Sequence, residues 1–296
     1  MPELPEVETI RLTLEPRLVG RRFDRVEIED SRLVRPFEPR AVADELEGER
    51  VSALERRGKY LIVRFESGRA LLIHLRMTGS LRHAPRGALR DDRHRRAVVN
   101  LDDGTDVAYR DVRRFGTWLL LEPGELEPYL AQKVGVEPLE RAFTARRLAQ
   151  RLQGRRAPVK AALLDQRTVA GLGNIYVDEA LWRAAIHPLR SAQSLDLDEL
   201  ARLTRGVKGA LRAGVRRQGA SLRDYATPDG GRGSMQDRFH VYGRAGEPCH
   251  RCGTPIEKIR AAGRGTWYCP ECQRLAGYAA SRSSRLPSRS SRQSSV

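Results

Sequence analysis

The chain is predicted to be an α+β protein of several domains, with strands first, helices second and a small four-cysteine module last. Three observations carry this. Between about residues 22 and 121, short apolar runs are separated by Gly- and Asp-containing turns, the pattern of a sandwich or barrel. Between about 125 and 218, apolar residues recur at helical spacing. All four cysteines of the 296-residue chain lie between Cys249 and Cys272, which indicates metal rather than a disulfide scaffold.

In chain order, residues 5–18 read as a helix. Pro5 suits its first turn, Val7, Ile10, Leu14 and Leu18 share a face, and Pro16 is expected to end or kink it. Tyr60–Phe65 and Ala70–Leu75 flank Ser67-Gly68 as one hairpin. Ala97–Leu101 and Thr105–Tyr109 flank Asp102-Asp103-Gly104 as a second, and Trp118–Leu121 is a further strand. The basic stretch from Arg82 to Arg96 reads as an exposed loop. Leu148 and Leu152 mark one helix, Val159–Leu164 a second and Ile175–Ala185 a third. Asp196 and Glu199 form a capping pair. They open a long helix with Leu197, Leu200, Leu203, Val207, Leu211 and Val215 on one face. Residues 219–238, rich in Gly, Ser, Asp and Arg, read as a loop. The Ser/Arg-rich end, residues 275–296, is expected to be disordered.

Lys and Arg number 54 against 38 Asp and Glu, a formal charge of +16, which points to a polyanionic partner. No apolar run approaches the roughly 18 residues of a membrane span. The start, MPELPEVETI, is neither a signal nor a transit peptide. These features argue against an integral membrane or Sec-exported protein, and the expected compartment is a reducing cytoplasm.

The cysteines follow Cys249-x2-Cys252-x16-Cys269-x2-Cys272. Two such knuckles place four thiolates around Zn(II) and leave no open position, so the metal is structural. Arg260, Arg264 and Trp267 lie between the knuckles, on a basic hairpin that can face a phosphate. At the other end, removal of Met1 exposes Pro2. Its secondary amine titrates near pH ~8, like other α-amino groups, and is a nucleophile toward carbonyl carbons at neutral pH. Glu3 beside it can transfer protons.

MPELPEVET at the start, GKY at 58–60, HLRMTG at 74–79, RRFG at 113–116, GLGNIY at 171–176 and VYGRAGEPC at 241–249 stand in order. With the cysteine module, they resemble the formamidopyrimidine-DNA glycosylase family over about residues 2–273. The resemblance implies an N-terminal β-sandwich (2–130), a helix-two-turn-helix DNA-binding domain (131–225) and a zinc finger (240–274) with one structural Zn(II). It implies removal of oxidised purines from duplex DNA by a monomer, through attack of Pro2 on C1′, a Schiff base, and β- then δ-elimination. By position, Glu3 is the general acid/base, Lys59 serves β-elimination, and Arg264 binds phosphate and serves δ-elimination.

The target base must leave the stack to react. Met77, Arg113 and Phe115 match the family residues that fill the gap, and their chemistry suits wedging and pairing with the orphaned base. Asn174 in GLGN, with helix N-terminal amides that bind phosphate, and His74, His94, Arg114, Arg156 and Lys160 match DNA contacts. Glu6 matches a contact to the everted base, and residues 221–238 a loop that covers it. The implied location is the bacterial cytoplasm, at the nucleoid. Two departures are expected to matter. Val112 replaces a common Pro and loosens its loop, and Met235 in GGRGSMQ bears on lesion preference. The alternatives are an endonuclease VIII-like enzyme for oxidised pyrimidines and a non-catalytic zinc-containing DNA-binding protein.

Overall fold

The computed structural model describes residues 2–222 and 224–275. Of the Ser/Arg tail, only Leu275 falls within the described residues. Helix α1 (Leu4–Leu18) is capped by a reciprocal pair, Glu3 and Glu6, with Pro5 in its first turn. It runs two residues past Pro16. The carbonyl that Pro16 cannot bond belongs to Leu12, a residue on the exposed side of the helix (48% exposed), where a lost helical bond is least costly, and the helix does not stop there. Leu4 belongs to the helical core, whereas Val7, Ile10, Leu14 and Leu18 belong to the sandwich core. The first helix therefore pins two cores together.

Eight strands follow: β1 (Phe23–Ile28), β2 (Val51–Arg57), β3 (Tyr60–Phe65), β4 (Ala70–His74), β5 (Gly79–Pro85), β6 (Arg95–Leu101), β7 (Thr105–Asp111) and β8 (Thr117–Leu121). They form two antiparallel four-stranded sheets, ordered β1-β6-β7-β5 and β2-β3-β4-β8. Both predicted hairpins are present, with Ile62 opposite Leu72 and Val99 opposite Val107. Phe23, Leu61, Val63, Leu71, Ile73, Val99 and Val107 fill the space between the sheets. The expected loop from Arg82 is shorter than predicted, because Arg82–Pro85 pair with β7. Helix α2 (Pro39–Leu46) packs on β1. Helix α3 (Leu126–Lys133) covers the outer face of the second sheet, with Leu126 and Leu130 against Ile62 and Leu72.

The helical part holds α4 (Ala145–Leu152), α5 (Val159–Leu164), α6 (Asn174–Ala184) and α7 (Leu197–Arg216). The Asp196–Glu199 capping box is formed. Leu197 is 68% exposed rather than on the buried face, because as the first helical residue it precedes the packed stripe that begins at Leu200. Antiparallel α6 and α7 meet closely through glycine: a Cβ at Gly206 would stand 2.6 Å from the Ala180 carbonyl oxygen, and one at Gly214 would overlap Tyr176. The described residues between 219 and 238 are irregular apart from one turn of 3-10 helix, Met235–Arg238. Met235 is wholly buried in the helical core, so it is a packing residue and not part of a lesion-reading surface. The chain ends in a hairpin, β9 (Glu257–Ala261) and β10 (Arg264–Tyr268), flanked by the cysteine knuckles.

Candidate active site

The start of the chain lies under the N-terminus of α6. The Glu3 carboxylate accepts hydrogen bonds from the N–H groups of Gly173 (2.7 Å), Ile175 (3.0 Å) and Tyr176 (3.4 Å). These donors have no partner within the helix, and the helix dipole favours a negative charge there. Only glycine permits the approach, since a Cβ at residue 173 would stand 2.3 Å from the Glu3 carboxyl carbon. The predicted amide cradle is thus real, but it holds Glu3 rather than a phosphate. Glu6 accepts from Tyr176 Oη, the Ala220 N–H and the Glu3 N–H, each at 2.8 Å. Burial, reinforced by the neighbouring Glu3 carboxylate, raises its carboxyl above the ordinary range.

Pro2, Glu3 and Glu6 open onto a cleft of about 490 Å³, whose other walls include Met77, Arg113, Asn174, Tyr225, Arg264 and Trp267. Lys59 sits in the two-residue turn between β2 and β3, not in a strand, and is only 7% exposed. Burial lowers its pKa. Glu3 and Glu6 act in the opposite direction, and Arg264 adds to the lowering. These mutual effects bring Lys59, Glu3 and Arg264 into one electrostatic cluster. The Lys59 turn is held from across the domain boundary. Glu137 accepts from the Gly58 N–H at 3.0 Å and ion-pairs with Arg56 at 2.7 Å, while Arg57 donates to the Gly135 carbonyl at 2.7 Å.

The four cysteine sulfurs lie within 4.8 Å of one another, with Cys252–Cys269 at 3.4 Å and Cys249–Cys272 at 4.0 Å. Tetrahedral Zn–S bonds of about 2.3 Å require S···S edges of about 3.8 Å, so the set fits one Zn(II). N–H groups point at the sulfurs, as thiolates require: Arg251 and the Trp182 indole to Cys249, and Cys272 to Cys269, each at 3.4 Å. The four-sulfur shell is closed, so this is a structural zinc finger.

Three family models match in the same order: the formamidopyrimidine-DNA glycosylase N-terminal domain over residues 1–118, its H2TH domain over 134–226, and the zinc finger found in FPG and IleRS over 246–275. A formamidopyrimidine-DNA glycosylase of Symbiobacterium thermophilum is 49% identical over 92% of this chain and 89% of its own length. The chain belongs to the formamidopyrimidine-DNA glycosylase family. A relative of the same name from Roseiflexus is 47% identical, over 93% of this chain and all of its own. Among solved structures, a Lactococcus lactis FPG mutant in complex with a Fapy-dG containing DNA superposes with a TM-score of 0.87. It is 39% identical and covers 93% of this chain and 100% of its own.

The remaining residues singled out in this glycosylase-family chain divide between the cleft rim and elsewhere. Met77 and Phe115 are 37% and 52% exposed, and Arg113 lies 4.8 Å over the Phe115 ring. Each apolar tip stands next to a non-glycine residue in the left-handed region, Arg76 at φ 53° and Arg114 at φ 58°, a strain that concentrates at functional sites. The loop after Val112 is not loose. Asp111, 1% exposed, accepts from the N–H groups of Arg113, Phe115 and Gly116 and from the Thr78 hydroxyl. This carboxylate does the work expected of the missing proline. Arg114 makes a forked pair with Asp30.

His74, at the end of β4, accepts from the Arg76 N–H through Nδ1 at 2.9 Å. Burial, with Arg76 and Lys59 nearby, pushes its pKa down to about 3. It is a neutral ring whose Nε2 carries the proton, a donor rather than a cation. Asn174 donates to the Gly265 carbonyl at 2.9 Å, tying α6 to the finger hairpin. Lys160 is wholly buried, paired with Asp178 at 2.7 Å and donating to the Gly265 carbonyl and the Thr266 hydroxyl. That is a correction: Lys160 braces the hairpin bearing Arg264 and is out of reach of a phosphate. His94 and exposed Arg156 lie outside the cleft lining.

Sequence reasoning missed Glu137, Asp111 and Tyr176. Glu137 and Tyr176 have partners distant in sequence, Asp111 ties its own turn together, and the one available signal was the acid that follows Val134–Val136. A groove of about 670 Å³ beside Met77 and Phe115, lined by Arg32, Arg35, Arg76 and Arg114, was also unforeseen.

Proposed function

We propose that this family member is a base-excision DNA glycosylase and AP lyase that removes oxidised purines, 8-oxoguanine and formamidopyrimidines, from duplex DNA at the bacterial nucleoid. The observation that carries the reading is the seating of Glu3. Three backbone N–H groups fix its carboxylate, and Pro2 is thereby held at the wall of a cleft that also contains Arg264.

After loss of Met1, the Pro2 nitrogen attacks C1′ of the everted nucleotide. The C1′–N bond breaks and the base leaves with a proton. Glu3 gives a proton to O4′ as the C1′–O4′ bond opens, and the Pro2 nitrogen lone pair completes a Schiff base to C1′ of the ring-opened sugar. The iminium acidifies C2′–H. Lys59, whose ammonium burial disfavours, takes that proton as the 3′ C–O bond breaks. A second elimination expels the 5′ phosphate, which exposed Arg264 holds. Met77, Arg113 and Phe115 fill the gap left by the base. Zinc supplies no chemistry and holds the hairpin that carries Arg264.

Borohydride trapping on an 8-oxoguanine duplex, with mass spectrometry of the adduct, tests this. The expected result is a lesion-dependent adduct on Pro2, lost in Pro2→Gly while DNA binding persists. Full cleavage by Pro2→Gly would overturn the nucleophile. Binding without any adduct on lesion or abasic duplexes would favour a DNA-binding protein.

A further inference from the structure

Beyond its capping pair, α7 and the residues just after it carry no acid: residues 200–219 contain six cations and no Asp or Glu. Arg202, Arg205, Gly209, Arg212 and Arg216 are exposed. At 3.6 residues per turn they fall within about 80° of arc. The gap at Gly209 is filled from α6, because Arg183 crosses α7 there. A Cβ at Gly206 would touch the Arg183 stem at 3.4 Å, and one at Gly209 would touch it at 3.8 Å. The result is a continuous arginine row.

The row is unneutralised. Arg205, Arg212, Arg216 and Arg183 make no ion pair among the described residues, whereas Arg56, Arg95, Arg110 and Arg114 of the sandwich all do. The Nε of Arg183 is buried without a partner. Arg216, and Arg251 of the finger, stand close enough to oppose its charge, and Arg251 is stacked 4.3 Å over Trp182. The acid that attracts Arg183 is Glu179, whose oxygens already accept from the His240 ring and the N–H groups of His240, Val241 and Tyr242. Arg146, Arg147 and Arg151, exposed on the adjoining α4, extend the positive face. Such crowding is costly in isolation and is relieved by an anion.

This face is separate from the cleft. The buried side of α7 packs into the helical core beside α6, and none of these arginines lines the cleft. We propose that the row, centred on Arg183, Arg212 and Arg216, is a second DNA-binding surface that takes the phosphate backbone of an undamaged duplex segment while the cleft holds the lesion. Guanidinium forks match phosphate oxygens. The row spans about 21 Å at 1.5 Å per residue, about six base-pair steps. It presents neither aromatic wedges nor amide side chains, so it reads no bases. The substrate is itself a long polymer, and a second segment of it stands at high local concentration. The inference rests on the reading that the cleft binds lesion duplex.

The full chain, saturated with a short duplex containing an abasic-site analogue, is titrated with a second, undamaged 20-bp duplex. Energy transfer between dyes on the two duplexes reports the ternary complex. The native chain is expected to capture the second duplex at low salt. R205E/R212E is expected to weaken that capture at least about tenfold and to lower the salt slope by about 1.8, two phosphate contacts at ~0.9 each. Lesion-duplex affinity and excision are expected to stay unchanged. Failure of the native chain to bind the second duplex, or equal capture by R205E/R212E, would overturn the proposal. Should that variant also lose the lesion duplex, R183Q/R216Q tests the same row without charge reversal, against the same two outcomes. A native chain that joins two duplexes but excises nothing would overturn the catalytic reading and support this surface.

Discussion

Glu137→Gln tests whether the Lys59 turn is positioned from the helical domain. Glu137 and Arg56 have side chains 4% and 8% exposed and lie 2.7 Å apart. The second Glu137 oxygen holds the Gly58 N–H at 3.0 Å. Removing one charge of a buried pair costs about 3–5 kcal/mol when its partner is left alone. Arg56 is not left alone, because Glu8 remains 2.8 Å away. The expected loss is therefore nearer that of one charged hydrogen bond, about 2 kcal/mol, or a fall in Tm of about 4–8 °C. The kinetic signature is selective. Lys59 follows Gly58 directly, so strand cleavage at a preformed abasic site should slow about tenfold, equivalent to ~1.4 kcal/mol of misalignment. Base release, which depends on Pro2 and Glu3, should change by no more than about twofold. Single-turnover assays separate the steps, with alkali revealing base release and untreated samples revealing enzyme-made nicks. Equal slowing of both steps, or unchanged Tm and rates, would refute the positioning argument.

Three further outcomes are expected. Met235→Ala should cost roughly 2–5 kcal/mol by opening a cavity without altering the ratio of 8-oxoguanine to formamidopyrimidine excision; a changed ratio would return Met235 to the lesion site. Burial and Arg264 both lower the Lys59 pKa, and the neutral amine is the active base, so β-elimination should rise with pH and plateau early. Arg264→Gln should move that rise to higher pH, and an unmoved profile would exclude Lys59 as the titrating group. Phe115→Ala, at an exposed tip, should leave stability within about 0.5 kcal/mol while weakening lesion-duplex binding in a fluorescence titration; a large Tm loss would make Phe115 a packing residue.

Local patterns were legible in the sequence where the chain pairs with itself nearby. The two hairpins carry their own turn residues, α7 carries its own capping pair, and the cysteine knuckles are self-evident by spacing. The start of the chain was legible through its motifs. Features made by distant partners were not. Nothing near Glu137 announces Gly58, 79 residues away. GLGN has the composition of a phosphate cradle, and only the fold brings the Glu3 carboxylate to it. Lys160 has the charge of a DNA contact, but Asp178 and the Gly265 carbonyl claim it. A polar residue's role depends on which partner reaches it first, and periodicity does not encode that.

Helix α6 connects the two ends of the chain. Its N-terminus grips Glu3. Along its length, Asp178 holds the Trp267 N–H, Glu179 holds the N–H groups of residues 240–242, and Trp182 reaches Cys249. The N-terminal segment is thus seated on a helix whose far side is braced by residues more than 200 positions from Glu3 in sequence. A chain cut before the finger would keep the Glu3 seat but lose the partners that Asp178, Glu179 and Trp182 hold along the same helix.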